Sequence, residues 1–418
     1  MLKWAELRAS AVLWLILPAA SYLWLYLDSY GMAWSSRYGV QSGELASVGV
    51  AVTAPVMAAG AAWAAGRHRR LGHMDATSPR PVWRRLARAT APLWVLHAVL
   101  SATALVIARV KVGVWPSGPG WLAVAHLVLL PAGWLAIGWC AGRALPRSVA
   151  APLLGIGCWA WLAFPQSFTA PWWRHVNGFV ATLSDPTVTQ VPTVYFVAWA
   201  VTASLVLAAW LMTGRRRRMG VAAGAAVVAG ALAGGGWAVD GWGYGGHVRA
   251  RGTALVCVGE APRVCVPPEY RPYADTLRRD TLEPLARVER AGVAPPRELR
   301  VLSEDAPVPP GVWPLTHWSP PRSHPGGATR SGPDVLVRPL IAGVAAQGGK
   351  KACVMDGTTP AYWAALVTTG EERPLPADLA PGRRRELEDL RRRPAAQQVA
   401  WFTQAVRGDR YCWSEKLL

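Results

Sequence analysis

Long apolar runs broken by short polar turns fill the first 240 residues, and a different pattern follows them. Seven runs read as helices able to cross a bilayer: Ala9 to Leu27, Leu45 to Gly66, Ala91 to Ala108, Trp121 to Ala141, Ala151 to Phe164, Thr193 to Thr213 and Gly220 to Val239. At 1.5 Å rise per residue, about twenty apolar residues span roughly 30 Å of hydrocarbon, and the fifth run, being shorter, borrows flanking residues or tilts less.

Beyond Asp240 the periods are those of a water-soluble α+β domain. Thr253 to Val258 and Arg263 to Val266 read as strands, Tyr270 to Ala291 as an amphipathic helix with Ala274, Leu277, Leu282, Leu285 and Val288 on its apolar face, and Gly292 as its stop. Leu299 to Leu302 and Asp334 to Arg338 are further expected strands, and Leu340 to Gln347, Pro360 to Thr369, Arg383 to Arg393 and Ala395 to Val406 expected helices. Pro307 to Pro333, rich in Pro, Gly and Ser, reads as a long loop. The expected organisation is an α-helical membrane bundle over residues 1–240 followed by a soluble α+β extracytoplasmic domain over 241–418.

Charge fixes the expected orientation. Arg215, Arg216, Arg217 and Arg218 stand between the sixth and seventh runs, and arginine beside a span is held on the cytoplasmic face. Residues Arg67 to Thr90 add seven arginines on that same face. The N-terminus is then expected to be cytoplasmic, and the domain after the seventh span to lie outside the membrane that the chain crosses several times. Of the 44 Lys and Arg, 19 precede residue 240, against 5 of the 25 Asp and Glu, so the membrane half carries +14 and the tail +5 of the net +19. Because the first half's excess sits in short loops where topology accounts for it, it does not point to nucleic acid.

Two connections look like more than links. In Pro81 to Thr90 an apolar stripe of Val82, Leu86 and Ala89 opposes Arg84, Arg85 and Arg88, an amphipathic helix suited to anionic lipid or to a cytosolic partner docking on Trp83, Arg84, Arg85, Leu86 and Arg88. In Pro171 to Leu183, Trp172, Val176, Phe179 and Leu183 recur at helical spacing, so this outer segment should lie in the interface or dip into the membrane. The seventh span carries Gly220, Gly224, Gly230 and Gly234, spaced for close helix packing or simply the product of an Ala- and Gly-rich composition.

Cysteines divide in the same way. Cys140 and Cys158 fall in apolar runs, whereas Cys257, Cys265, Cys353 and Cys412 lie in the tail, where disulfides are permitted and three pairings exist. The two β-runs around the Gly-Glu-Ala-Pro turn favour Cys257 with Cys265, leaving Cys353 for Cys412. No phosphate loop, H-E-x-x-H or Gly-x-Ser-x-Gly pattern occurs, and His317 and His324 occupy a loop without a nearby carboxylate, so neither enzyme, metal nor cofactor is expected. The span centres hold no Asp, Glu, Lys or Arg. Their only titratable imidazoles, His97 and His126, are expected to be buried and hydrogen-bonded.

An inner amphipathic segment between spans two and three, and an outer membrane-dipping segment between spans five and six, resemble the layout of ABC-2 type exporter permeases. The arginine-rich, Ala/Gly/Pro-heavy composition is similar to that of actinobacterial membrane proteins, and VCVPPEY, Val264 to Tyr270, resembles the start of outer domains appended to permease-like proteins of that group. The resemblance implies an export subunit served by a separate cytosolic ATP-binding cassette subunit and assembled as a homo- or hetero-oligomer. A seventh span and an outer tail are additions to the usual six-span pattern. The alternative is a non-transporting receptor or envelope-interaction protein whose bundle anchors a binding domain.

Overall fold

The apolar runs form helices because a backbone out of water must satisfy its own amides. In a computed structural model, the residues described are 15–30, 36–70, 82–180, 182–213, 217–252, 254–303, 306–316, 318, 320, 335–348, 358–370 and 381–408. These residues divide between two compact units, one drawn from 1–32, 37–185 and 189–249, the other from 33–36, 186–188 and 250–418.

In the first unit the helices are α1 (Ile16–Ser29), α2 (Gly39–Val48), α3 (Val50–Arg70), α4 (Val82–Val112), α5 (Gly120–Ala144), α6 (Arg147–Ala163), the single turn α7 (Trp173–Val176), α8 (Thr193–Met212) and α9 (Arg217–Ala238). Six stretches among the described residues are long and apolar enough to cross a membrane: Gly39–Arg67, Ala87–Val112, Gly120–Ala144, Arg147–Ser167, Thr193–Met212 and Arg218–Ala238. The first expected span is described only as the 14-residue α1, its beginning lying outside the described residues. The second starts six residues earlier than its apolar run, because Gly39 to Glu44, expected in a connection, is helical and wholly buried.

α3 packs against α5 and α6 at backbone distance. A Cβ at Gly138 would overlap the Ala58 carbonyl, one at Gly142 the Ala62 carbonyl, and one at Gly43 the Gly120 carbonyl. Small residues four apart thus let these backbones touch, the device by which apolar helices hold together where lipid removes the hydrophobic drive. In α9, Gly220 and Gly224 meet Leu211, Met212 and Ala208 of α8, whereas Gly230 and Gly234 face open space.

The amphipathic stretch from Val82 is not a separate helix. It forms the first turns of the continuous 31-residue α4, with Arg88 exposed; the side chains of Trp83, Arg84, Arg85 and Leu86 lie outside the described residues. Arg215 and Arg216 also lie outside them, as does the side chain of Arg217, while Arg218 is exposed at the start of α9.

Two three-residue strands, β1 (Val188–Gln190) and β2 (Val248–Ala250), form a sheet of their own. In the second unit four short strands, β3 (Val256–Val258), β4 (Arg263–Val266), β5 (Glu298–Arg300) and β6 (Val312–Pro314), form one sheet in that order. β3 and β4 are an antiparallel hairpin pairing Cys257 with Cys265, and β4, β5 and β6 run parallel. A parallel step needs a crossover, supplied between β4 and β5 by α10 (Ala274–Arg290), which a 3-10 turn at Pro268–Tyr273 introduces. Helices α11 (Val337–Gln347), α12 (Thr359–Thr369), α13 (Pro381–Arg391) and α14 (Ala395–Arg407) complete the unit. Trp313, Trp363, Tyr270 and Phe402 are its largest fully buried side chains.

Three expectations fail here. Val335 to Arg338 is a turn entering α11 and not a strand, since Pro339 in the first helical turn suits a helix start and would break a sheet ladder. β6 lies inside the stretch read as loop. Leu282, placed on the apolar face of α10, is 39% exposed, while Ala274, Leu277, Leu285 and Val288 are buried.

Candidate functional sites

Within the first unit, the connection between α6 and α8 folds back into the bundle. Its helical period stops after one turn because the Asn177 side chain accepts a hydrogen bond from the Phe179 amide at 2.8 Å and Gly178 takes φ 89°. The expected helix over Pro171 to Leu183 is therefore mostly absent. Its apolar residues are nonetheless used: Val176 is buried, and Phe179 and Leu183 pack against the bundle core.

Irregular backbone among apolar helices must find polar partners, and here the helices supply them. Asn177 Nδ2 donates to the Leu162 carbonyl at 3.0 Å and the Trp161 indole donates to the Asn177 carbonyl at 3.0 Å. His126, on α5, lies 2.8 Å from the Gly178 carbonyl through Nε2, and its Nδ1 accepts from the Trp199 indole at 2.9 Å. An indole N–H can only donate, so the proton sits on Nε2 and points at Gly178. Glu44, on α2 and 1% exposed, accepts from the Ser184 amide at 2.6 Å and from the Ser184 hydroxyl at 2.8 Å. Among the described residues no lysine or arginine pairs with this carboxylate.

His126 is thus buried and hydrogen-bonded as expected. His97 is buried, but neither of its ring nitrogens has a partner among the described residues, and its ring stands edge-on to that of Trp94 at 5.9 Å. Glu44 went unread in the sequence. It stands one residue before the apolar run, and its partner is 140 residues away.

The second unit holds a cavity of about 570 Å³ between strands β3 to β5 and Val301, Leu302, Ser303, Ala306 and Pro307. The disulfide Cys257–Cys265 forms part of its wall. Leu255, Pro267, Val301 and Leu302 give it an apolar body, and Arg251, Arg263, Arg300 and Glu298 give it a polar side. Arg251 pairs with Glu269 at 2.6 Å, and Glu298 accepts from both Arg300, at 2.7 Å, and Arg263. Those two arginines, Arg300 foremost, hold the Glu298 carboxyl below its ordinary value. Two guanidinium groups share one carboxylate, so donor capacity remains on that wall.

The remaining candidates are placed less fully. Cys353, Cys412, His317 and His324 lie outside the described residues, so the second expected pairing has no structural counterpart. Cys140 and Cys158 are free thiols. Among the described residues no group of three or more His, Cys, Asp or Glu side chains is arranged to hold a metal ion.

Residues 264–412 match a family model described as a domain of unknown function, DUF7224. The match begins inside β4, so Cys257 and β3 lie just ahead of it. No curated protein and no solved structure matches the chain.

Proposed function

We propose that this chain is a multi-pass protein of a bacterial plasma membrane whose C-terminal domain, outside the cell, binds a small molecule with an apolar body and an acidic end. The observation that carries the reading is the 570 Å³ cavity, a size typical of ligand sites, with an apolar lining and converging arginines. The arginine-rich ends of the helices, held inside, support the orientation. A saturable rise in the unfolding temperature of the full-length protein in nanodiscs, screened against small organic acids, tests it. The shift should vanish in Leu302→Trp, which fills the cavity, and in Arg300→Ala; a shift unchanged by both variants, or none with any acid, refutes the site. Reaction of a cysteine placed at the exposed Gly382 with an impermeant maleimide on intact cells tests the orientation.

A second reading, an ABC-2 type permease subunit with a separate ATPase, is favoured by the connection that folds back into the bundle between α6 and α8. It requires a nucleotide-binding partner at Trp83 to Arg88. Site-specific crosslinking from Arg88 in membranes that captured no ATP-binding protein would remove it.

A further inference from the structure

The first unit contains a smaller cavity, of about 100 Å³, that neither reading uses. It lies between the folded-back connection and the chain leaving α9, and its polar lining comes from Arg174, His175, Gln190 and His247. No Asp or Glu lines it.

Arg174 is held in place by two carbonyls and a ring: one terminal nitrogen donates to Tyr244 O at 2.8 Å, the other to Gln166 O at 2.6 Å, and the guanidinium sits 4.9 Å over the Tyr244 ring. A guanidinium has five N–H groups, so three remain, among them a buried Nε–H with no partner. Among the described residues no carboxylate pairs with this cation.

The two imidazoles are fixed by the same loop. His175 Nε2 lies 2.9 Å from Gly243 O, and the His247 ring stacks on Trp242 at 4.1 Å and 5°. Burial lowers the His175 pKa from its ordinary value, with the nearby Arg174 and His247 adding to the effect against the Gly243 bond. Gln190 is 4% exposed; its amide donates to Thr182 O at 2.7 Å, which leaves Oε1 as a buried acceptor without a donor.

We infer that this cavity binds the phosphate of a phosphoester carrying a neighbouring hydroxyl or ammonium group, with Arg174 and His247 on the phosphate and Gln190 on the donor. Unused donors arriving from separate segments suit a group that offers several acceptor oxygens in different directions. The orphaned Gln190 oxygen asks for an N–H or O–H from the same ligand, which a simple carboxylate lacks. Two sources share this chemistry, a phospholipid headgroup and a soluble phosphoester.

The test uses the full-length protein in phosphatidylcholine nanodiscs, whose headgroup has no hydrogen-bond donor. One arm is calorimetric titration with sn-glycerol 3-phosphate and with inorganic phosphate. The other is native mass spectrometry of lipid retained from nanodiscs containing phosphatidylglycerol or phosphatidylethanolamine. Saturable glycerol phosphate binding assigns a soluble ligand, and selective retention of either lipid assigns a headgroup. In both cases Arg174→Lys, which keeps the charge but removes the Nε–H, and His247→Ala and Gln190→Leu should each weaken binding about tenfold, whereas Arg392→Ala, at an exposed arginine elsewhere, should not. Unchanged circular dichroism and elution volume show that the variants fold. Binding in neither arm, binding equal in all variants, or a cavity that holds only water would overturn the assignment.

Discussion

The two units are held together by opposite means. In the tail, wide side chains fill the interior: Trp363 lies 4.4 Å from Phe402, and Trp313 lies against Gly343. In the bundle, the close interface of α3 with α5 is made by residues with almost no side chain, Gly138 and Gly142 against Ala58 and Ala62. Water drives the first arrangement by expelling apolar area. A lipid solvent cannot, and helices apolar enough to cross a membrane meet here through backbone proximity and a few buried polar bonds.

The contrast can be broken from either side. Trp363→Ala removes a buried ring and should cost the tail about 3–5 kcal/mol. Gly138→Leu drives a side chain into the Ala58 backbone and should cost the bundle about 3 kcal/mol or more. Thermal unfolding of the full-length protein, followed separately by proteolysis of each unit, should show each variant lowering its own unit's transition. If Gly138→Leu left the bundle's transition in place, close approach would not be what holds α3 to α5.

Next in size is Glu44. Glu44→Ala strands a buried amide and a buried hydroxyl of Ser184, at about 1–3 kcal/mol for each unpaired group. Hydrogen exchange at residues 177–185 should rise in this variant and stay near normal in Glu44→Gln, whose amide oxygen still accepts from Ser184. Equal exchange in the two variants would show that the carboxylate does not hold the segment.

Replacing Cys257 and Cys265 by serine opens a loop of sequence separation 8 and should destabilise the tail by about 2–3 kcal/mol. Urea unfolding of the oxidised and serine forms checks this, and the bundle should not respond. The smallest effect concerns acid. Because Arg300 and Arg263 lower the Glu298 pKa in the folded tail, its contribution is full above the ordinary carboxylate range and is lost as pH falls through that lowered value. Glu298→Gln should flatten the acid limb of the tail's stability curve, and a limb of unchanged slope would assign the acid sensitivity elsewhere.

What the chain reveals unaided follows the same division. Apolar runs, amphipathic periods and the turn between Cys257 and Cys265 are local signals, and they place six helices of the first unit, five of the second and one hairpin near their observed positions. β6 escapes because Val312 to Pro314 has a partner only through the parallel neighbour β5, which local sequence does not announce. The connection at 171–184 has the right apolar residues with the wrong period, since Asn177 and Gly178 end the helix that the spacing extends. Gly138 and Gly142 carry the same four-residue spacing as the glycines of α9, where Gly230 and Gly234 face open space. Spacing reveals which residues could approach a neighbour, and only the fold reveals which of them have one.

The Glu44 bond also has a consequence for how the protein is made. Its partner follows 140 residues later, a delay of roughly 7 to 28 s at about 5–20 residues per second of synthesis. Until then the Glu44 carboxylate is without the two Ser184 donors that meet it in the finished fold.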